Sequence, residues 1–140
     1  MGYNLYIGEL TTEINPEPGE HIYPSLCVER NSGLEIGAPL NSTDNHSNEI
    51  WPSYSGWANF CRRSGLYNVF LKQYDGILVQ HPGAFVLTND QLEVFEKARD
   101  EYKCSGYSEI DVYDKRRLEW LCFWTKWALE NCKVPVFANS

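Results

Sequence analysis

The sequence predicts an α+β domain in which a small antiparallel sheet from the N-terminal half packs against two long C-terminal helices. Two stretches, residues 111–133 and 89–103, repeat their apolar side chains with the period of an amphipathic helix. The apolar segments that precede them are short and lie between turn-forming residues, which is typical of strands. A chain of 140 residues is predicted to fold as a single globular domain with a sizeable core.

Two strands are predicted near the N-terminus. In residues 3–10, Tyr3, Leu5 and Ile7 alternate with the side chains between them, and residues that favour strands are frequent. A loop with two prolines and a glycine follows. An extended pattern then resumes over residues 21–30, where Pro24 indicates an edge strand or a bulge.

Residues 31–50 are rich in Asn, Ser, Gly and Asp and show no clear periodicity. They are predicted to form a long loop, and a plain surface excursion is favoured over a functional loop. A short helix is predicted over residues 58–63. Ser53 or Ser55 is its expected N-cap, and Gly65 is placed like a residue just after its C-terminus.

The middle of the chain is less regular. Residues 66–74 fit both a helical turn and a strand, and we favour a short helix. Thr88 and Gln91 form the pattern of a capping box, which fixes the start of the helix over residues 89–103.

The helix predicted over residues 111–133 has an unusually wide apolar face. Trp120, Trp124 and Trp127 follow at i, i+4 and i+7 and line one edge of it. They are interpreted as core residues, in preference to a ligand cage. The apolar tail at residues 134–137 is expected to lie extended against the body.

The composition argues against several classes of function. Twelve Lys and Arg against nineteen Asp and Glu give a formal charge of −7, which disfavours nucleic acid and anionic membranes as partners. A small anion is still compatible, since converging arginines or a helix N-terminus bind it locally. The N-terminus lacks a signal pattern and no apolar run approaches roughly 20 residues, so we expect a soluble, cytoplasmic protein.

Motifs for catalysis or metal binding are not found in the sequence. The five cysteines are odd in number and widely spaced, so we interpret them as reduced, mostly buried thiols. Cys61, which precedes two arginines, is a weak candidate for an activated thiol. His81 is held by a Pro-Gly turn and is a candidate general base, although a turn histidine is the commoner role. We therefore predict no catalytic residue, metal or cofactor.

The segment from Trp51 to Trp57 is the best candidate for recognition. Its aromatic rings suit stacking on a planar ring, while a helix start and the arginines that follow suit a phosphate or carboxylate. His81 is placed at the rim. The alternative is that Trp57 and Phe60 are core residues covered by Trp51 and Tyr54, and that the arginines are solvated partners of the helix dipole. The candidate ligand-binding residues are Trp51, Tyr54, Ser55, Trp57, Arg62, Arg63 and His81.

Four segments of the chain, over nearly its whole length, resemble a group of small uncharacterised proteins from bacteria and their phages. The segments are MGYNLYIG at residues 1–8, SYSGW at 53–57, HPG at 81–83 and LEWLCFW at 118–124. The resemblance carries over no catalytic residue. It implies that the protein is an inhibitor, an immunity factor or a protein that sequesters a ligand, as is common for small proteins of mobile elements.

Three functional hypotheses follow. The first is a non-enzymatic protein that binds a small, planar, anionic, nucleotide-like molecule, with His81 at the rim of its site. The second is an acidic interaction module that inhibits a host protein through its charge and the loop at residues 31–50. The third is a hydrolase that uses His81 with a carboxylate. An aromatic surface is also typical of a homodimer interface, so self-association competes with the first hypothesis.

Overall fold

The structure of the protein, a computed structural model, describes residues 1–11, 15–22, 35, 37–41 and 46–140. Its helices and strands confirm the predicted α+β fold. They are, in chain order, β1 (Leu5–Glu9), β2 (His21–Ile22), β3 (Glu49–Ile50), α1 (Tyr54–Ser64), α2 (Tyr67–Leu71), β4 (Gly83–Val86), α3 (Asn89–Glu101), α4 (Ser108–Asn131) and β5 (Pro135–Asn139).

The five strands form one sheet in the order β2-β4-β5-β1-β3, and every pair of neighbours is antiparallel. The tail that was expected to lie extended is β5, the central strand. Its Phe137 is paired with Ile7 of β1 on one side and Phe85 of β4 on the other. The sheet predicted from the N-terminal half therefore also takes two strands from later in the chain.

The two faces of the sheet bury different sets of side chains, as the alternation along a strand requires. Leu5, Ile7 and Phe137 belong to the large core that also contains the inner faces of α1, α3 and α4. Tyr6 and Val136 belong to a second apolar cluster, on the opposite face. The central strand is thus buried on both sides.

Capping residues define both ends of helix α1. The Ser53 side chain accepts a hydrogen bond from Gly56 N at 3.0 Å, which confirms Ser53 as the N-cap. Gly65 has a φ of 76° and ends the helix in the left-handed conformation that glycine adopts without strain. The short helix predicted over residues 66–74 is confirmed as α2.

The two long C-terminal helices also form as predicted. Thr88 accepts from Asp90 N at 3.1 Å and its own N–H donates to Gln91 Oε1 at 2.7 Å, which confirms the capping box of α3. In α4, Trp120 and Trp124 are fully buried in the core. Trp127 is only partly buried and packs against it.

Parts of the N-terminal half differ from the prediction or lie outside the description. Residues 49–50 were expected in a loop, but they form β3, where Ile50 pairs with Leu5. A strand of two residues is too short to show an alternation of apolar and polar side chains in the sequence. It forms because it pairs with β1, which is distant in sequence. Of the strand predicted over residues 21–30, His21 and Ile22 form β2, and residues 23–30 lie outside the described residues, as do the loop residues 31–34, 36 and 42–45.

Within the portion of the chain that the structure describes, no helix combines the length and apolar character needed to cross a membrane.

Candidate functional site

Three polar side chains from distant parts of the sequence meet at the start of α1. The ring of His81 lies between Tyr54, the first residue of α1, and Asn139, the last residue of β5. The Tyr54 hydroxyl is 3.1 Å from His81 Nε2, and Asn139 Oδ1 is hydrogen-bonded to His81 Nδ1. The turn containing His81 leads directly into β4, so the sheet and α1 together position the imidazole.

The hydrogen bonds of Asn139 determine which nitrogen of His81 carries the proton. Asn139 Nδ2 donates to the main-chain oxygens of Gln80 at 2.9 Å and Gly83 at 3.4 Å, so Oδ1 is the atom that faces the imidazole. An amide oxygen only accepts, and His81 Nδ1 must therefore donate to it. Nε2 of the neutral ring is left as an acceptor, and the Tyr54 hydroxyl donates to it.

Tyr3 completes this cluster. Its ring packs edge-to-face against Tyr54 and His81, with centroid distances of 4.7 and 4.9 Å. Partial burial, followed by the neighbouring Tyr54, raises the pKa of the Tyr3 hydroxyl. The ring of Tyr54 is thus held by a hydrogen bond on one side and an aromatic contact on the other.

An open cleft of about 330 Å³ lies beside the cluster. It is bordered by the first four residues of the chain and by Trp51, Pro52 and Ser53. Tyr3 N donates to Pro52 O at 2.9 Å, and Gly2 forms a bridge with Ser53. A Cβ at Gly2 would approach Pro52 O to 2.4 Å, so this position accepts only glycine without a shift of the backbone. The N-terminus is therefore fixed as one wall of the cleft.

The side chains around the cleft combine apolar and hydrogen-bonding surface. Trp51 is 44% exposed and Tyr54 is 38% exposed. Ser55 is exposed in the first turn of α1, which carries no acidic residue. The Ser55 N–H has no hydrogen-bond partner among the described residues. A positively polarised helix end thus lies next to two exposed aromatic side chains.

Three of the predicted ligand-binding residues lie elsewhere. Trp57 has no exposed surface and packs against Phe70 in the core, so the assignment of a stacking role to Trp57 is wrong. Arg62 and Arg63 lie at the other end of α1, about 12 Å along the axis from its first turn. Residues eight apart in a helix are separated by about two turns, so they lie at opposite ends of a helix as short as α1.

Both arginines also have partners within the fold. The Arg62 guanidinium lies over the Tyr67 ring at 5.0 Å and donates to Asn59 at 3.1 Å. Arg63 forms an ion pair with Asp114 at 2.7 Å. Neither side chain is therefore placed to hold the anionic part of a ligand at the cleft.

Cys61 is a core residue. Its side chain has no exposed surface, and burial raises the pKa of its thiol to about 12. The nearby arginines Arg117 and Arg62 act in the opposite direction but are weaker. An activated thiolate is therefore not supported at this position.

A second polar cluster, which the sequence interpretation missed, joins three helices. The Tyr102 hydroxyl lies 2.8 Å from both Asp111 Oδ1 and Asp114 Oδ2. Asp111 also accepts from Ser105 N at 2.7 Å, and Asp114 accepts from Arg63. Asp111 and Asp114 are three residues apart and therefore lie on one face of α4, which is the signal that could have found the cluster. The Tyr102 hydroxyl and the Arg63 guanidinium are both hydrogen-bonded to the carboxylates, so we interpret the cluster as structural.

A wider cleft of about 470 Å³ lies between the C-terminal ends of α1 and α3 and contains Arg63 and Tyr102 in its wall. Both helices end there, so their dipoles place negative potential at the cleft. The lysines at its border, Lys97 and Lys103, are exposed side chains. A buried polar side chain at this cleft, Ser64, donates its hydroxyl to Cys61 O at 3.4 Å within α1, so we do not interpret the cleft as a ligand site.

Among the residues for which the structure gives positions, no group of three or more His, Cys, Asp or Glu side chains could hold a metal ion. No protein-family model, curated protein or solved structure matches this chain.

Proposed function

We propose that this protein is a non-enzymatic binding protein for a small, planar, anionic molecule such as a nucleotide, held in the cleft beside the start of α1. The exposed rings of Trp51 and Tyr54 stack on the planar part. The first turn of α1, with the Ser55 N–H and hydroxyl, takes the anionic part. His81 and Asn139 hold Tyr54 in place.

The observation that supports this proposal is the position of two exposed aromatic side chains next to the Ser55 N–H, which has no hydrogen-bond partner among the described residues although Ser53 caps the same helix end. Stacking on an aromatic side chain contributes about 1–3 kcal/mol per base in proteins that bind single-stranded nucleic acid. A helix N-terminus contributes about 0.3–1 kcal/mol toward an exposed anion. The overall charge of −7 opposes a large polyanion far more than a small anion, which favours a mononucleotide-sized ligand.

The resemblance to small phage and bacterial proteins extends the proposal to biological role. A protein of a mobile element that binds a nucleotide signal without turning it over sequesters it. A second copy of this chain is the competing occupant of this surface, since exposed aromatic side chains also suit a homodimer interface.

The proposal is tested first by native mass spectrometry of the protein purified from cells, before and after mild denaturation. A retained small molecule identifies the ligand class and reports the oligomeric mass in the same spectrum. Binding of that molecule is then compared by calorimetry for the wild type, Trp51→Ala and Tyr107→Ala. We expect a loss of at least tenfold for Trp51→Ala only, since Tyr107 is exposed at the start of α4. Equal affinity of all three proteins would refute the site.

A hydrolase is the second candidate, and the chain from Tyr54 through His81 to Asn139 is the observation in its favour. Nucleophilic catalysis commonly uses a hydroxyl, a base that accepts its proton and a third group that orients the base, and Tyr54, His81 and Asn139 have these positions. The sequence interpretation expected a carboxylate next to His81, whereas Asn139 occupies that place. Turnover of an ester or phosphodiester that Tyr54→Phe abolishes, with the fold intact by circular dichroism, would place this candidate first.

The interaction module stays a prediction. It depends on the loop at residues 31–50, much of which lies outside the described residues. Tight, salt-sensitive binding to a single protein, with indifference to metabolites, would favour it over both candidates above.

A further inference from the structure

Asn4 and Trp51 lie directly opposite each other, where the N-terminus runs beside the segment that leads into α1. The pairing of β1 with β3 places Leu5 opposite Ile50. The same register continues toward the N-terminus, where a main-chain hydrogen bond and a bridge join the two segments. Asn4 therefore stands opposite Trp51, and side chains in such a pair lie on one face with Cβ atoms about 4.5–5.5 Å apart.

The main chain of Asn4 is fixed from its other side by Ser140. Asn4 N donates to Ser140 O at 2.9 Å, and Ser140 N donates to Asn4 O at 3.0 Å. These bonds use both main-chain groups of Asn4, so its pair with Trp51 is not hydrogen-bonded. In pairs of this kind the side chains lie closer together, which places the Asn4 amide next to the Trp51 indole.

The side-chain amide of Asn4 is not used by the fold. It has no hydrogen-bond partner among the described residues, and Asn4 is only partly buried. By contrast, three asparagine amides around the sheet donate to main-chain oxygens, namely those of Asn41, Asn48 and Asn139. The amide of Asn4 thus keeps one donor group and one acceptor atom for a ligand.

The open cleft beside the start of α1 is bordered by both Asn4 and Trp51. Its volume of about 330 Å³ is at the lower end of the range for small-molecule sites, about 300–1,000 Å³. Trp51 offers an exposed indole, on which a planar ring can stack. A ring in that position has its edge beside the Asn4 amide, so the amide can distinguish ligands by the hydrogen-bonding groups on that edge.

We propose that the planar part of the ligand is adenine and that Asn4 selects it through the amino edge of the base. This inference rests on the proposed function, because it uses the stacking of the ligand on Trp51. An asparagine amide pairs with adenine at two points, since it accepts from the N6 amino group and donates to N7. Adenine has a second ring acceptor, N1, on the other side of its amino group, so the base can pair in two orientations. A purine also covers more of the indole than a pyrimidine does.

The test compares two nucleotides that differ only at this edge. Adenosine 5′-monophosphate carries the amino group, and purine riboside 5′-monophosphate has a hydrogen atom in its place. Each is titrated into the full chain by calorimetry. We expect the wild type to bind adenosine 5′-monophosphate at least about fivefold more tightly, since one good two-point pair discriminates between bases by this factor or more.

Three variants separate the role of Asn4 from that of the stacking surface. Asn4→Leu removes the amide and keeps a side chain of similar size, so it should bind both nucleotides equally, each as weakly as the wild type binds purine riboside 5′-monophosphate. Asn68→Leu, at an exposed position of α2, is the matched control and should keep the wild-type preference. Trp51→Ala should weaken the binding of both nucleotides.

The outcomes separate this inference from the proposed function. Equal affinity of the wild type for the two nucleotides would overturn the selection of adenine, and so would a preference that persists in Asn4→Leu. The absence of saturable binding of either nucleotide would overturn it as well. The proposed function itself fails only if Trp51→Ala leaves the binding of the ligand unchanged.

Discussion

Arg63 joins the C-terminal end of α1 to the side of α4 by donating two hydrogen bonds to Asp114. The distances are 2.7 Å from Nε to Oδ2 and 2.9 Å from Nη2 to Oδ1. The Asp114 side chain has no exposed surface, whereas that of Arg63 is about one-third exposed. The carboxylate therefore depends on this arginine and on the Tyr102 hydroxyl for its compensation.

Replacement of Arg63 by Met is expected to lower the free energy of unfolding by about 2–3 kcal/mol. Removing one partner of a buried ion pair leaves an uncompensated charge, which costs about 3–5 kcal/mol, and the partial exposure of Arg63 reduces this figure. The measurement is urea denaturation followed by tryptophan fluorescence. Arg62→Met, one residue earlier on the same helix, is the matched control and should cost less than about 1 kcal/mol. A similar loss in both variants would show that the ion pair contributes nothing specific.

Asp111 is expected to make the stability depend on acid pH. Its pKa is lowered mainly by the hydrogen bond from Ser105 N, with weaker contributions from Tyr102 and the Ser105 hydroxyl. The folded pKa thus lies below the unfolded value of about 3.9. The stabilisation is present above that value and is lost as the pH falls through the folded pKa.

Asp111→Asn should therefore flatten the loss of stability between about pH 4 and pH 2, measured as the urea midpoint at each pH. Glu109→Gln, an exposed carboxyl in the first turn of the same helix, is the control and should retain the slope of the wild type. Identical slopes in wild type and Asp111→Asn would contradict this assignment.

The secondary structure was more predictable than the site because it is encoded in local patterns. The capping box at Thr88, the cap at Ser53 and the left-handed Gly65 depend on neighbouring residues and are confirmed. The alternation of Tyr3, Leu5 and Ile7 likewise predicted β1. Two-residue strands such as β3 have no period to read, and the pairing that creates them is a tertiary contact.

The site could be predicted only in part, since its members come from distant segments. Trp51, Tyr54 and Ser55 are close in sequence and were found together, and His81 was placed at the rim by its turn. Asn139 is 58 residues from His81, and no local signal links them. The sequence left two interpretations of Trp57, a core residue or a ligand-stacking one, because an aromatic residue suits both, and its burial selects the first.

The cysteines are expected to differ sharply in reactivity. Burial raises the pKa of Cys61 and of Cys122 to about 12, whereas Cys104 is exposed between α3 and α4. A thiol reacts as the thiolate, so burial protects Cys61 and Cys122 in two ways: it blocks access to the thiol and it disfavours the thiolate. Iodoacetamide at pH 8, with peptide mass spectrometry, should label Cys104 first and modify Cys61 and Cys122 only in denaturant. Early labelling of Cys61 would mean that the core around α1 opens readily.

The three histidines are expected to show two different tautomers, which a single spectrum can distinguish. His21 Nε2 lies 2.9 Å from Gly76 O, and a carbonyl only accepts, so His21 carries its proton on Nε2. His46 Nδ1 lies 2.6 Å from Ala38 O, and His81 Nδ1 faces the oxygen of Asn139, so both rings carry the proton on Nδ1.

Long-range nitrogen–proton correlation spectra at pH 8 report the tautomer of each neutral ring. In Asn139→Leu the His81 ring should lose its preference for Nδ1–H, while His21 keeps Nε2–H as an internal control. An Nε2–H tautomer for His81 in the wild type would mean that Tyr54 accepts from the imidazole, and the Tyr54 hydroxyl would then have no base beside it.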